Sequence, residues 1–354
     1  MKKILSIIII SAISINFSFS QLSKAKKFAK SITEKDLIEH LTIYASDEFE
    51  GRDTGEPGQK KAVEYLRDYY KSIGVEPGDP DMDYFQPMTL DIRARGGRNS
   101  AKTVDTENVI AIIKGSEKPD EYVVISAHLD HVGIEDGEIY NGADDDGSGT
   151  VAMLEIAEAF KKAVKRGKGP KRSIIFLHVT GEEKGLLGSK YYTDTDPIYP
   201  LKNTVVNLNI DMIGRIDPTR EAKNRDYIYL IGSDHDSKDL HNLSEETNKE
   251  TLNMTLDYRF NDKNDPNRFY YRSDHYNFAK NGIPIIFYFT GTHEDYHKPT
   301  DTVDKIEFDL LELRTKLIFY TAWNIANRDE RLVVDPKPEK VSFDISKEEL
   351  KKYH

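Results

Sequence analysis

Short apolar runs alternating with helical patterns are the feature that most limits what this chain can fold into. The runs have the length and the β-branched and aromatic content of strands: NVIAIIKG, EYVVISAH, SIIFLHVT, VVNLNIDMIG, DYIYLIG and IPIIFYFTG. Helical periodicity lies between several of them, at residues 149–165, 184–193, 238–249 and 273–281. Because the runs are apolar almost throughout, we expect them to be covered on both faces. The pattern predicts an α/β fold with a largely parallel sheet.

The flanking segments carry weaker signals. Thr33 stands three residues before Asp36, which is the spacing of a capping box, and Gly74 ends a helical pattern as a C-cap would. The segment FDLLELRTKLIFYTAWNIAN predicts a long closing helix. Residues 75–107 are rich in Pro, Gly and Asp, and we expect them to run irregularly over the surface. We predict a single domain over residues 21–330 and a charged C-terminal tail over 331–354.

The N-terminus has the pattern of a secretory signal peptide. Lys2 and Lys3 precede an apolar stretch at 4–15, and Ser18 and Ser20 are small residues at signal-peptidase spacing. We predict a signal peptide over 1–20, cleaved near Ser20 and Gln21, and an exported protein, periplasmic or secreted. The stretch is short for a membrane span, so no span is expected in the mature form. A retained anchor or a buried strand is the alternative.

Composition excludes several kinds of chemistry. The 354 residues include no cysteine and carry a formal net charge of -11. Disulfides, thiolate nucleophiles and cysteine zinc sites are therefore excluded, and any metal must be held by histidines and carboxylates. The acidic balance argues against nucleic acid as a partner. No pattern in the sequence indicates an oligomeric state.

Acidic and histidine side chains follow the predicted strands. In open α/β sheets, ligands bind beyond the carboxyl ends of the strands. So much negative charge in one cleft would be costly unless cations offset it. Each motif alone also has a structural explanation, such as a solvated loop, a helix cap or a favourable partner of a helix dipole. The residues at these strand ends are His128, Asp130, Asp144, Glu182, Glu183, Asp211, His297 and Asp301.

Six motifs together resemble a known family. SAHLDHVG, NGADDDGSG, GEEKGLLGS, NIDMIG, RSDHYNF and YHKPTDT occur in the order and rough spacing of the M28 family of co-catalytic zinc aminopeptidases. The resemblance extends from about Asn108 to about Phe319. It implies a phosphorylase/hydrolase-like three-layer α/β/α sandwich with a mixed, mostly parallel sheet. It also implies a cofactor of two Zn²⁺ per chain.

The resemblance further implies a role for each ligand position. His128 and Asp211 would complete the shell of one zinc, and Glu183 and His297 the shell of the other. Asp144, the first aspartate of the triplet, would bridge both ions. The family often has a cis peptide after the bridging aspartate, which would fall between Asp144 and Asp145.

The catalytic roles are carried over in the same way. Glu182 would be the general base and acid that acts on a zinc-bound water. Asp130 would accept a hydrogen bond from the imidazole of His128, and Asp301 would do the same for His297. Tyr270 would hydrogen-bond the oxyanion.

Other residues near the motifs have more ordinary expectations. Tyr271, Arg272 and Tyr296 are candidates for the pocket wall, although packing and surface contacts are the favoured explanation for any one of them. We expect His131, His178 and His275 to be structural, since none occupies a ligand position of the motifs. His235 is expected in a solvated loop rather than in a calcium site.

The resemblance favours an exopeptidase, above all an aminopeptidase that acts on a peptide or small-protein substrate with a free N-terminus. One alternative is a glutaminyl cyclase-like transferase with one zinc, and another is a carboxypeptidase or dipeptidase on the same scaffold. A third is a non-catalytic binding module. His128 stands alongside four further ligand candidates, which favours two metals and hydrolysis.

Overall fold

The structure is a computed structural model that describes residues 22–93, 101–221 and 224–336. The predicted signal peptide and most of the predicted tail lie outside these residues. Among the described residues, no helix is long and apolar enough to cross a membrane. The helices are α1 (22–28), α2 (Glu34–Tyr44), α3 (Pro57–Ile73), α4 (Gly149–Lys165), α5 (Leu187–Lys190), α6 (Lys238–Thr251), α7 (His275–Ala279) and α8 (Phe308–Asn327).

The strands form one large mixed sheet and one hairpin. Their order in the sheet is β1-β3-β7-β4-β8-β11-β9-β10, with β2 paired to β3, and β5 pairs with β6. The bounds are β1 (Glu76–Pro77), β2 (Phe85–Arg93), β3 (Ala101–Ile113), β4 (Lys118–His128), β5 (Gly133–Glu135), β6 (Glu138–Tyr140), β7 (Arg172–Val179), β8 (Thr204–Ile210), β9 (Tyr227–Ile231), β10 (Thr255–Asp257) and β11 (Ile285–Phe289).

The centre of the sheet is parallel and its flanks are mixed. Strands β7, β4, β8 and β11 run parallel to one another. Strand β3 pairs antiparallel with β7 on one side, and β9 pairs antiparallel with β11 on the other. The predicted mixed α/β architecture is confirmed, with its parallel part at the centre. The carboxyl ends of the four central strands therefore meet at one edge.

Helices cover both faces of the sheet, as the apolar strands predicted. Along β4, Val123 and Ile125 belong to the core shared with α4 and α8. Tyr122 and Val124 point to the opposite face and pack in the core that includes α7. This period of two follows from the pleat of a strand. It places a large helical layer on one face and a smaller one on the other.

The local signals agree with the structure in some places and fail in others. Thr33 caps α2 by accepting a hydrogen bond from the backbone N–H of Asp36, and Gly74 ends α3 with a φ of 78°. The helix expected at 184–193 is regular only over α5. The expectation of an irregular surface segment at 75–107 was wrong, because β2 pairs with β3 over nine residues of each strand. Cross-strand pairing overrode a composition typical of loops.

A buried arginine joins the loops beside the sheet edge. Arg52 is fully buried, and its guanidinium donates hydrogen bonds to the backbone carbonyls of Tyr44, Leu129, Asn141 and Gly142, at 2.7–3.2 Å. Leu129 directly follows β4, whereas Asn141 and Gly142 precede the aspartate triplet. The side chain therefore fixes one loop against the other.

Replacing Arg52 by Met should destabilise the fold by about 3 kcal/mol or more, because each buried carbonyl left without a donor costs about 1–3 kcal/mol. The measurement is the free energy of unfolding in denaturant. Arg225→Met is the matched control, since the Arg225 guanidinium pairs with Glu307 and Asp309 at the surface and should contribute less than about 1 kcal/mol. Equal losses in the two variants would contradict the anchoring role of Arg52.

Candidate metal centre

Side chains from five places in the chain meet at the carboxyl edge of the central strands. His128 is the last residue of β4, and Asp211 directly follows β8. Glu183 follows β7, His297 lies in the loop after β11, and Asp145 lies just ahead of α4. Because these strands are parallel, their ends place the side chains in one cleft although they are far apart in sequence.

One group of possible metal ligands consists of His128, Asp145 and Asp211, all buried. The Nε2 atom of His128 lies 3.1 Å from Asp145 Oδ1 and 3.7 Å from Asp211 Oδ1. Its Nδ1 atom lies 3.0 Å from the backbone carbonyl oxygen of Asp130. Since a carbonyl can only accept, Nδ1 carries the hydrogen, and Nε2 is left to face the carboxylates.

A second group shares Asp145 and adds Glu183 and His131. His297 faces the same carboxylates: its Nε2 atom lies 3.1 Å from Asp145 Oδ2 and 3.0 Å from Glu183 Oε1. His131 Nδ1 also lies 3.0 Å from Glu183 Oε1. His131 was expected from the sequence to be structural, whereas the structure turns its ring towards this second group; the signal that could have indicated this is its spacing of three residues from His128 in the same motif.

The three aspartates of the triplet make different contacts from those expected. Asp144 was expected at the position shared by both groups, but the structure places Asp145 there and Asp144 in neither group. Asp144 Oδ1 accepts a hydrogen bond of 2.6 Å from the backbone N–H of Gly214, and its Oδ2 lies 3.2 Å from His293 Nε2. Asp146 accepts from the backbone N–H groups of His128, Gly149 and Met212.

The predicted cis peptide is shifted by the same single residue, since it joins Asp145 to Asp146 rather than Asp144 to Asp145. The predicted partner of His297 is also corrected. The carboxylate of Asp301 accepts hydrogen bonds of 3.1 Å from the backbone N–H groups of Asp144 and Asp145. It therefore positions the aspartate turn instead of the imidazole.

Asp130 supports the site in a different way from the one expected. Its carboxylate is not the acceptor for His128, because Oδ1 lies 3.9 Å from Nδ1 and the backbone carbonyl takes that place. The carboxylate instead accepts from the Thr54 hydroxyl at 2.8 Å and from the backbone N–H of Glu182 at 3.1 Å. Asp130 thus links the imidazole of His128 to the backbone of Glu182.

The two adjacent glutamates have opposite electrostatic environments. Burial raises the pKa of Glu182 well above its ordinary value, although His128 opposes the shift. Burial and Asp145 oppose ionisation of Glu183 too, but the facing imidazoles of His131 and His297 lower its pKa to about 2. Neighbouring carboxyls whose environments push their pKa values apart are typical of pairs with different acid/base roles.

Tyr270 does not lie where the resemblance implied. It packs against His235 and Tyr276 and lines a separate surface cavity rather than the cleft above the carboxylates. Tyr296 occupies the cleft instead and stacks on His297 with ring centroids 3.9 Å apart. The cleft is lined by Asp145, Glu182, Asp211, Met212, Phe269, Arg272, Phe287, Phe289, Thr292 and Tyr296.

Three further histidines contact groups outside the cleft. His178 is fully buried, and its Nε2 atom lies 2.8 Å from the Tyr70 hydroxyl. His275 is fully buried, with Nε2 2.8 Å from the Tyr270 carbonyl oxygen. The Nε2 atom of His235 lies 2.7 Å from the Asn261 carbonyl oxygen. None of the three faces the carboxylates of the cleft.

Solved structures share this fold. A zinc aminopeptidase from Bacillus subtilis superposes with a TM-score of 0.64 at 16% identity, over 85% of this chain and 97% of the other. A glutaminyl cyclase from Porphyromonas gingivalis superposes with a TM-score of 0.61 at 18% identity, over 82% of this chain and 97% of the other. At such identities the likeness concerns the fold alone, and that fold carries both chemistries.

Sequence comparisons identify the family. A probable zinc metalloprotease from Pyrenophora teres f. teres is 30% identical over 268 residues, which are 63% of this chain and 52% of the relative. The chain thus spans about half the length of such relatives. The model of peptidase family M28 matches residues 108–322, more than half of the sequence. This range includes the strand ends that supply the two groups of possible metal ligands, and the match shows that the chain belongs to peptidase family M28.

Proposed function

We propose that the protein is a zinc-dependent exopeptidase with two ions per chain, and most specifically an aminopeptidase. One observation carries the proposal: Asp145 directs its two oxygens to different imidazoles. Oδ1 lies 3.1 Å from His128 Nε2, and Oδ2 lies 3.1 Å from His297 Nε2. His128, Asp145 and Asp211 would hold one ion, and Asp145, Glu183 and His297 the other.

The donor set fits zinc. Imidazole nitrogen and carboxylate oxygen are ordinary zinc ligands, and the chain has no cysteine that could compete. Asp145 Oδ2 and Glu183 Oε1 are buried and lack a hydrogen-bond partner among the described residues. Buried charged oxygens without partners are costly, and a cation between them and the imidazoles would remove the cost.

Glu182 is the residue to which we assign proton transfer. The zinc pair, when bound, supplies Lewis acidity and an activated water at neutral pH. Glu182 lines the cleft beside Asp145 and Asp211 but belongs to neither group of ligands. Its raised pKa suits a group that takes a proton from the attacking water and then delivers it to the leaving amine. The backbone N–H of Glu182 donates a hydrogen bond to the Asp130 carboxylate, which holds the backbone of Glu182 in place.

The side chains that line the cleft favour a peptide substrate with an apolar residue next to the scissile bond. Phe269, Phe287 and Phe289 form an aromatic surface next to the carboxylates. An apolar side chain would be favourable against these rings, and the acidic floor would attract the cationic α-amine of a free N-terminus. These two features together favour an aminopeptidase.

Arg272 favours a second candidate, a carboxypeptidase or dipeptidase. Its guanidinium lines the same cleft and lies 3.4 Å from the Tyr296 hydroxyl. A carboxylate on the substrate would pair with it. A panel of aminoacyl, peptidyl and N-terminal glutamine substrates separates these activities, and cyclisation of the last would indicate the glutaminyl cyclase reaction.

We further propose that residues 21–330 act as one peptidase unit, that 331–354 form a tail, and that the protein is exported after cleavage near Ser20 and Gln21. The charged, apolar and small-residue regions at 2–20 support the proposal of export.

Replacing Glu182 by Gln should lower kcat by about 10²–10⁴-fold, because the amide cannot accept the proton. Zinc content should stay at the wild-type level, since Glu182 is outside the ligand groups. Rates on an aminoacyl substrate and metal analysis of the same sample provide the measurement, and a chelator should abolish the wild-type activity.

Glu155→Gln is the matched control for this test. Glu155 is buried on α4 and is not among the residues that line the cleft, and burial raises the pKa of its carboxyl to about 8. An amide of the same shape should leave kcat unchanged. If Glu182→Gln kept full activity with zinc bound, Glu182 would not be the proton-transfer group.

Asp144→Asn and Asp145→Asn form a pair that tests the bridging position. Asp145→Asn should reduce the affinity for both ions, because it removes the charge that faces both groups. Asp144→Asn should retain both, since an amide oxygen can still accept from Gly214. Zinc per chain at fixed free zinc is the quantity to measure. Loss of zinc in Asp144→Asn but not in Asp145→Asn would reverse the assignment.

A further inference from the structure

His131 is a buried imidazole without a hydrogen-bond partner. Its side chain is fully buried, and neither ring nitrogen has a partner among the described residues. Nδ1 nevertheless lies 3.0 Å from Glu183 Oε1 and 3.8 Å from Asp145 Oδ2. The contact with Glu183 has the length of a hydrogen bond but not its direction.

The atoms that His131 faces are those that also face His297. Glu183 Oε1 and Asp145 Oδ2 lie 3.0 and 3.1 Å from His297 Nε2. Both oxygens and both His131 nitrogens belong to the buried polar atoms that lack a partner. Leaving several such atoms without partners in one place costs far more free energy than leaving one atom unpaired. A cation among them would satisfy the two oxygens and Nδ1 at once.

The loop geometry holds the ring in this position. A Cβ atom at Gly142, whose φ is 54°, would lie 2.5 Å from both Cγ and Cδ2 of His131. The glycine therefore leaves the space that the imidazole occupies. The carbonyl of the same glycine accepts from Arg52, and the backbone N–H of His131 donates to the carbonyl of Arg52 at 3.3 Å. The position of the ring is thus fixed from two sides.

We propose that Nδ1 of His131 is a fourth protein ligand for the ion held by Asp145, Glu183 and His297. This inference rests on the proposed function. It makes the two ion sites unequal: one has two imidazoles and two carboxylates, and the other has three protein donors. Four protein ligands are typical of a closed zinc site, and three are typical of a site that keeps a position for water or substrate.

The asymmetry has a measurable consequence. The ion at the four-ligand site should be retained longer against a chelator than the ion at the His128 site. His131→Ala and His131→Gln should weaken the tighter of the two zinc affinities by roughly 100-fold or more, since loss of a mere outer partner of a ligand already costs about 10–100-fold. Zinc affinities are measured by chelator competition, with thermal unfolding to confirm that each variant folds.

A spectroscopic count separates a ligand from a positioning residue. In the protein loaded with Co²⁺, which the same donors accept, each coordinated imidazole gives a strongly shifted, exchangeable ring N–H proton signal. The wild type should show signals from His128, His131 and His297, and both His131 variants should lack one of them. His178→Gln is the matched control, because His178 is equally buried but contacts Tyr70, and all signals should remain.

The possible outcomes distinguish a failure of this inference from a failure of the proposed function. If folded His131 variants keep both zinc affinities, or if the wild type shows signals from only two histidines, His131 is not a ligand even though the two-zinc enzyme stands. A wild type that binds less than one zinc per chain would overturn the proposed function itself, and with it this inference.

Discussion

The buried side chain of Asp145 places both carboxylate oxygens about 3.1 Å from imidazole nitrogens. The surrounding carboxylates of Glu183 and Asp211 carry the same sign of charge, and their repulsion is weakly screened by the buried environment. Protonated imidazoles and metal cations are groups that can offset this repulsion. The remaining features of the site serve this arrangement: they bring the acidic groups together and keep them in one orientation.

The aspartate triplet shows how the chain holds that arrangement. The Asp146 carboxylate accepts hydrogen bonds from backbone N–H groups at the end of β4, at the start of α4 and at the residue after Asp211. One side chain therefore joins three parts of the chain. Asp301 accepts from the backbone of Asp144 and Asp145. The turn is therefore fixed by its neighbours, and Asp145 alone is left to face the cleft. Three adjacent carboxylates are tolerated because each has a different partner.

The sequence carried much of this organisation but not its final assignment. Six apolar runs predicted the principal strands, and their order along the chain placed His128, Glu183, Asp211 and His297 near one edge. It failed by one residue within the triplet, since Asp144, Asp145 and Asp146 are identical in kind and only the path of the turn distinguishes them. It also passed over His131, because a motif position does not reveal which way a ring points. Tyr270 was misplaced for the same reason, whereas Tyr296 lines the cleft as one of the expected candidates for its wall.

By itself, the sequence determined the alternation of strands and helices, the exclusion of cysteine chemistry and the types of residue at the strand ends. These properties follow from composition and from the periodicity of neighbouring residues, and neither depends on how distant parts of the chain pack. Only the tertiary structure decided the strand pairing at 85–113, the direction of each carboxylate and the facing imidazoles that separate the pKa of Glu183 from that of the similarly buried Glu182. Those properties depend on atoms distant in sequence, whose distances and loss of hydration are set only when the sheet and its covering helices pack together.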